Sequence, residues 1–202
     1  YRYIFVVEIS AKIKDNKILL QVIFQYKHTK ENCITRQTNG VIGVDFNKGF
    51  ISVSETDKYG NLIKHFNIDY RFCSGNKTTE DFNQISIILS KRCLKTGKDL
   101  AIEKLNFNVK KSQITKGSNK KYNEMLSSLA YSKFDRIITS KCSKDKIFLH
   151  KVNPAWTSYI ALHKYCNNKK LNIHSGASFV IARRGQGLKD SIKQKTKWLL
   201  TE

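Results

Sequence analysis

The sequence predicts an α/β fold built on a mixed sheet with flanking helices. Three observations predict it. Strand-like apolar runs follow one another closely between residues 41 and 68, as in an antiparallel meander. Two later stretches, Phe82 to Cys93 and Tyr122 to Ile138, carry apolar residues at helical spacing, and a short apolar run follows each. A last helical stretch, His174 to Arg184, is closed by Gly185 and Gly187.

The chain opens with two β-branched and aromatic runs, Arg2 to Ile13 and Lys17 to His28, around the polar turn Lys14-Asp15-Asn16-Lys17. A lone hairpin is only marginally stable in water. It therefore packs on the rest of the chain or closes a domain that begins elsewhere. Thr29 to Asn39 is polar and reads as a linker, so the expected units are 1–39 and 40–202.

The main unit starts with strands Val41 to Asp45, Phe50 to Glu55 and Leu62 to Ile68, with Lys58-Tyr59-Gly60-Asn61 as the turn between the last two. Phe82, Ile85, Ile88, Leu89 and Cys93 then form one helical stripe, stopped by Gly97. Leu100-Ala101-Ile102 is a short strand ending in Glu103, and a basic loop spans Asn108 to Lys121. Tyr122, Met125, Leu126, Leu129, Phe134, Ile137 and Ile138 form the second stripe, and Ile147 to Val152 a fifth strand. Tyr159 to Asn172 reads as a short basic connection to the last helix. Three strands, a helix, a strand, a helix, a strand and a helix is the order of an RNase H-like fold.

Composition narrows the partners. The chain has 37 Lys+Arg against 16 Asp+Glu, a formal net charge of +21, which exceeds what solubility needs and favours a polyanion. With 40% hydrophobic residues it buries a core and is no disordered basic tail. No apolar run is long enough to span a membrane, and the lysines are spread along the chain rather than gathered in one amphipathic block, so no membrane partner is expected. No secretory signal is visible, which fits a cytoplasmic protein. The five cysteines stand singly, at 33, 73, 93, 142 and 166, which excludes a CxxC zinc knuckle and argues against a disulfide framework.

Asp45 is the most informative residue, because the apolar strand Val41-Ile42-Gly43-Val44 ends on it. A carboxylate there is either a turn aspartate or a metal ligand, since burying its charge unpaired is costly. Glu103 ends a second short apolar strand in the same way, and in an RNase H-like sheet the two strands can be neighbours. Two carboxylates on adjacent strand ends suit Mg²⁺ or Mn²⁺ ions acting on a phosphodiester.

Four segments in order then resemble a family: Gly43-Val44-Asp45 followed by Asn47; Ala101 to Asn106; Val152-Asn153-Pro154-Ala155-Trp156-Thr157-Ser158; and His174-Ser175-Gly176-Ala177-Ser178 leading to Ile181-Ala182-Arg183-Arg184-Gly185. They look like the signature of the TnpB-related proteins of bacterial insertion sequences, relatives of the type V CRISPR effectors with a RuvC-like nuclease domain. The resemblance covers about residues 40 to 190, and it likens the hairpin to the closing strands of a wedge-type β domain. It implies an RNA-guided, metal-dependent DNA endonuclease, with guide RNA and target DNA as partners. Asp45 matches the family's first catalytic acid and Glu103 its second. The place of the third is held by Ser175, preceded by His174, which becomes either a substitute ligand or proton carrier or a locally bonded helix-start residue. The family's zinc ribbon is absent, since Cys166 stands alone, so no zinc is expected.

Candidate nucleic-acid contacts are Lys110, Lys111, Lys116, Lys120 and Lys121 in the basic loop, the Arg183-Arg184 pair, and Trp156, which either stacks on a base or ribose or packs on the sheet. Without its third acid the chain can also be read as a nuclease-inactive RNA-guided DNA-binding protein or as a truncated transposase remnant.

Overall fold

The computed structural model describes residues 4–15, 17–26, 30–72, 76–104 and 119–190. The chain divides into two compact units, Tyr1–Cys33 and Ile34–Glu202. In the first, β1 (Ile4–Lys14) pairs antiparallel with β2 (Lys17–Tyr26), in a register running from Ile4 opposite Tyr26 to Lys14 opposite Lys17. Asp15 takes a left-handed conformation at the turn (φ 49°), which aspartate tolerates because its short side chain bonds locally.

The second unit holds a five-stranded sheet. It contains β3 (Val41–Asn47), β4 (Phe50–Thr56), β5 (Leu62–Asp69), β6 (Asp99–Glu103) and β7 (Leu149–Val152), in the spatial order β5-β4-β3-β6-β7. The first three form the antiparallel meander; β6 and β7 run parallel to β3. Helix α1 (Asn76–Thr96) leads into β6, and α2 (Asn119–Lys144) precedes β7. After β7 come α3 (Thr157–Ile160), a π-helical turn Ala161–Cys166, α4 (Asn167–Lys169) and α5 (Ile173–Gly185). This is the RNase H-like arrangement that the order of hydrophobic patterns predicts.

Alternation along β3 sorts the two faces. Ile42 and Val44 join Phe82, Ile85, Leu89 and Cys93 of α1 and Phe134, Ile138 and Cys142 of α2 in the main core. Val41 faces the other way, where Ala101, Ile181 and Ala182 meet it. Among the described stripe positions Ile88 and Leu129 are about half exposed, and the side chains of Tyr122, Met125 and Leu126 lie outside the described ones. Helix α5 is buried over Ser175–Ala182, because small residues let it settle onto the sheet. At Gly43 the approach is closest: a Cβ there would lie 2.2 Å from the Ser178 carbonyl oxygen and 2.4 Å from the Ala182 nitrogen.

Two segments differ from expectation. The polar run 34–39 packs against the sheet unit instead of linking to it. Ile34 N–H donates to the Lys146 carbonyl (2.8 Å), Thr35 Oγ1 accepts from Phe148 N–H (3.1 Å), and Gln37 Nε2 donates to the Gly185 carbonyl (2.8 Å). Its polar side chains satisfy loop ends and helix ends. The basic connection after residue 157 is largely helical, because Ile160, Ala161, Tyr165 and Leu171 give it an apolar face against Ala177, Phe179 and Val180 of α5.

Candidate active site

The parallel pairing of β3 and β6 sets Val44 opposite Ile102, so the next rung brings Asp45 beside Glu103. Both carboxylates leave the sheet at its strand ends on the face covered by α5. Asp45 is 9% exposed. Its Oδ2 accepts from Asn47 Nδ2 (2.9 Å), and His174 Nδ1 stands 3.5 Å away from the same oxygen. Burial pushes the Asp45 carboxyl above its ordinary range, while the Asn47 hydrogen bond and the His174 ring pull it partly back.

Glu103 is held from the other side. Thr157 Oγ donates to its Oε1 (2.7 Å), and Thr157 is itself buried at the start of α3. Burial raises the Glu103 carboxyl; the Thr157 bond lowers it, the Asp45 charge raises it, and Arg184 lowers it. The two acids therefore feel one another directly. Tyr131 of α2 donates its hydroxyl to the Glu103 main-chain carbonyl, and burial keeps that phenol protonated.

This donor set fits a hard divalent cation. Asp45 Oδ1 and Glu103 Oε2 have no protein partner among the described residues, and the mutual repulsion of two half-desolvated carboxylates is what a cation relieves. Mg²⁺ is commonly held by one or two carboxylates, with water and substrate phosphate filling its other positions. Among the described residues no three His, Cys, Asp or Glu side chains gather closely enough to share one ion.

Helix α5 presents His174, not Ser175, to the acid pair. Asn172 caps the helix by accepting from Ser175 N–H (2.8 Å), which fixes the first turn. Ser175 is 1% exposed, and its carbonyl accepts from Ser54 and Ser178. His174 packs edge-on to Phe50 with ring centroids 5.1 Å apart and stays about half exposed.

The expected nucleic-acid contacts are dispersed. Lys110, Lys111 and Lys116 lie outside the described residues, and Lys120 and Lys121 fall in the first turn of α2. Trp156 is 71% exposed, in a left-handed conformation (φ 64°), with Tyr159 edge-on at 5.7 Å and the His163 ring tilted against Tyr159 at 4.3 Å. It therefore does not pack on the sheet. Arg184 donates to the Asn153 carbonyl and to the Ala155 carbonyl (2.7 Å), bracing the turn that carries Trp156. Arg183 donates to Asp190 (3.2 Å) and to the Gly60 carbonyl (2.7 Å), so its guanidinium is engaged within the protein. Sequence reading assigns no role to Thr157 or Tyr131. Thr157 has a signal in its place after Pro154 and Trp156; Tyr131 has none, since it stands 28 positions after Glu103 in the sequence.

Sheet order and acid pair together define an RNase H-like α/β domain with a carboxylate site at the ends of its parallel strands. No family model matches the chain, and no curated protein matches it. Among solved structures it is similar to T. thermophilus RuvC in complex with Holliday junction substrate, at 9% identity and a TM-score of 0.48, over 70% of this chain and 88% of that one.

Proposed function

We propose that this chain is a RuvC-like, metal-dependent nuclease of the TnpB-related type: an RNA-guided DNA endonuclease associated with insertion sequences and acting in the cytoplasm. The observation that carries the reading is the adjacent pair of Asp45, buried, and Glu103, half-buried, mutually repelling and each with one carboxylate oxygen that has no partner among the described residues. A bound Mg²⁺ or Mn²⁺ supplies a Lewis acid and an activated water for phosphodiester hydrolysis. Asp45 and Glu103 hold it. Asn47 and Thr157 fix the orientation of the two carboxylates, and His174, beside Asp45 and open to solvent, carries a proton to or from the reacting oxygens. Trp156 stacks on a base or ribose, and the lysines opening α2, with those of the preceding loop, follow the phosphate backbone. The hairpin of the first unit acts as the closing part of a wedge-type domain that grips the guide.

A second reading has its own motivation. Ser175 supplies no third acid, and the described residues form no three-ligand cluster, which favours an RNA-guided DNA binder that does not cut.

The test is cleavage of guide-matched DNA in Mg²⁺ and in Mn²⁺, with binding followed in the same samples. Cutting by wild type that falls at least ~100-fold in Asp45→Asn and in Glu103→Gln, with binding kept, supports the nuclease. Binding without cutting in either metal supports the second reading. Cutting at wild-type rates in both variants removes the acid pair from the mechanism.

A further inference from the structure

On the sheet face opposite the acid pair, an open groove of about 610 Å³ runs between α1 and α2. One wall is a stripe of α2 carrying four cations, Lys133, Arg136, Lys141 and Lys144. The other is a stripe of α1 with uncharged polar side chains, Thr79 and Asn83 among them. No carboxylate lines it among the described residues. Lys141 is partly compensated by Asp145 (3.0 Å), one turn further on, and Lys133 donates to Thr79 Oγ1 (3.0 Å) across the groove. Arg136 and Lys144 are exposed.

Like charges at this density repel each other and cost stability; Asp145 offsets this at the Lys141–Lys144 end only, and an anion along the groove would offset it over the rest of the row. The row from Lys133 to Lys144 spans eleven residue steps, about 16 Å of helix at ~1.5 Å per residue. Phosphates of one duplex strand advance ~3.4 Å along the axis, so the row faces four or five of them, about one cation to each. Hydroxyl and amide donors set among Lys and Arg are the usual company of phosphate oxygens.

We propose that the α1–α2 groove is a binding surface for the phosphate backbone of duplex nucleic acid, separate from the acid pair. The proposal shares with the nuclease reading only its class of partner. It does not require that the acid pair bind metal or cut.

The experiment measures binding of the whole chain to a fluorescent 20-base-pair DNA duplex, and to an RNA duplex of equal length, across a salt series. The groove variant is Lys133→Gln/Arg136→Gln/Lys144→Gln. A charge-matched control, Lys58→Gln/Lys64→Gln/Lys95→Gln, removes three exposed cations elsewhere, and circular dichroism checks that both stay folded. Losing three phosphate contacts lowers the slope of log K against log salt by between two and three and weakens binding roughly 100-fold at about 0.15 M salt. That result in the groove variant with either duplex, and not in the control, supports the proposal. Equal losses in both variants, or wild-type binding by the groove variant, overturn it. So does poly-glutamate bound as tightly as duplex and losing the same factor in the groove variant, which would make the occupant an acidic polypeptide. Asp45→Asn in the guide-matched cleavage assay, set beside the groove variant in the binding assay, separates the two readings. If it abolishes cutting while the groove variant binds normally, only this proposal fails; if it cuts normally while the groove variant loses duplex, only the nuclease reading fails.

Discussion

Thr157 and Asn47 each give a single hydrogen bond to one carboxylate of the acid pair. Removing such an orienting bond at a metal site typically costs 10–100-fold in metal affinity or activity. Thr157→Val is therefore expected to weaken Mg²⁺ binding and slow cleavage by about that factor while leaving the melting temperature nearly unchanged, as calorimetry and a cleavage assay would show. Burial lifts both Asp45 and Glu103 above their ordinary carboxyl range, so protons compete with a cation at a higher pH than they would at exposed acids. Metal affinity should fall steadily as the pH drops from about 7 to about 5, and less steeply in Asp45→Asn. The same shifts act on folding with the opposite sign. Raised folded-state values mean that folding takes up protons, so the acids' contribution is present below their unfolded values and is lost as the pH rises through the folded ones. Without divalent cations, Asp45→Asn should raise the urea midpoint near pH 8, and the gain should shrink toward pH 4.

Helix α5 is the element that joins fold to chemistry, since the turn that caps on Asn172 also carries His174. Its seat is Gly43, where an added Cβ would press on main-chain atoms that cannot swing aside. Gly43→Ala should cost about 3 kcal/mol in urea unfolding, at the upper end of overpacking, and should disturb His174 before it disturbs Glu103. At this scale the sequence was legible wherever period and contact agree. The first two strands of the meander, the run into Glu103, and the stripe positions Phe82, Ile85, Leu89, Cys93, Phe134 and Ile138 report their own burial. Helical turns at 157–169 were not legible, because their apolar face consists of four widely spaced residues among lysines and asparagines. Asp45 and Glu103 could be picked out because each is an acid that directly ends an apolar run. Thr157 and Tyr131 could not, because what they do depends on where other elements end.

Across the whole sheet unit, the acid pair and the α1–α2 groove occupy opposite faces, so the proposed cutting and the proposed backbone grip can be tested apart. Asp45→Asn should leave duplex affinity within about twofold of wild type at every salt concentration, since a buried acid contributes little to counterion release. The excess of cations could be counted from composition alone. Which of them stand in a row could not, because the row arises from helical phase and from the partner wall that α1 supplies.

Trp156 has a further consequence. A bulky residue in the left-handed region costs about 1 kcal/mol or more relative to glycine, and this one, largely exposed, recovers little of that by burial. Trp156→Gly should therefore leave the protein as resistant to urea as wild type, or more so, while its grip on single-stranded oligonucleotides weakens. Selection for robustness alone would discard this tryptophan, and under the proposed stacking role its place is one where durability is traded for contact with something outside the fold.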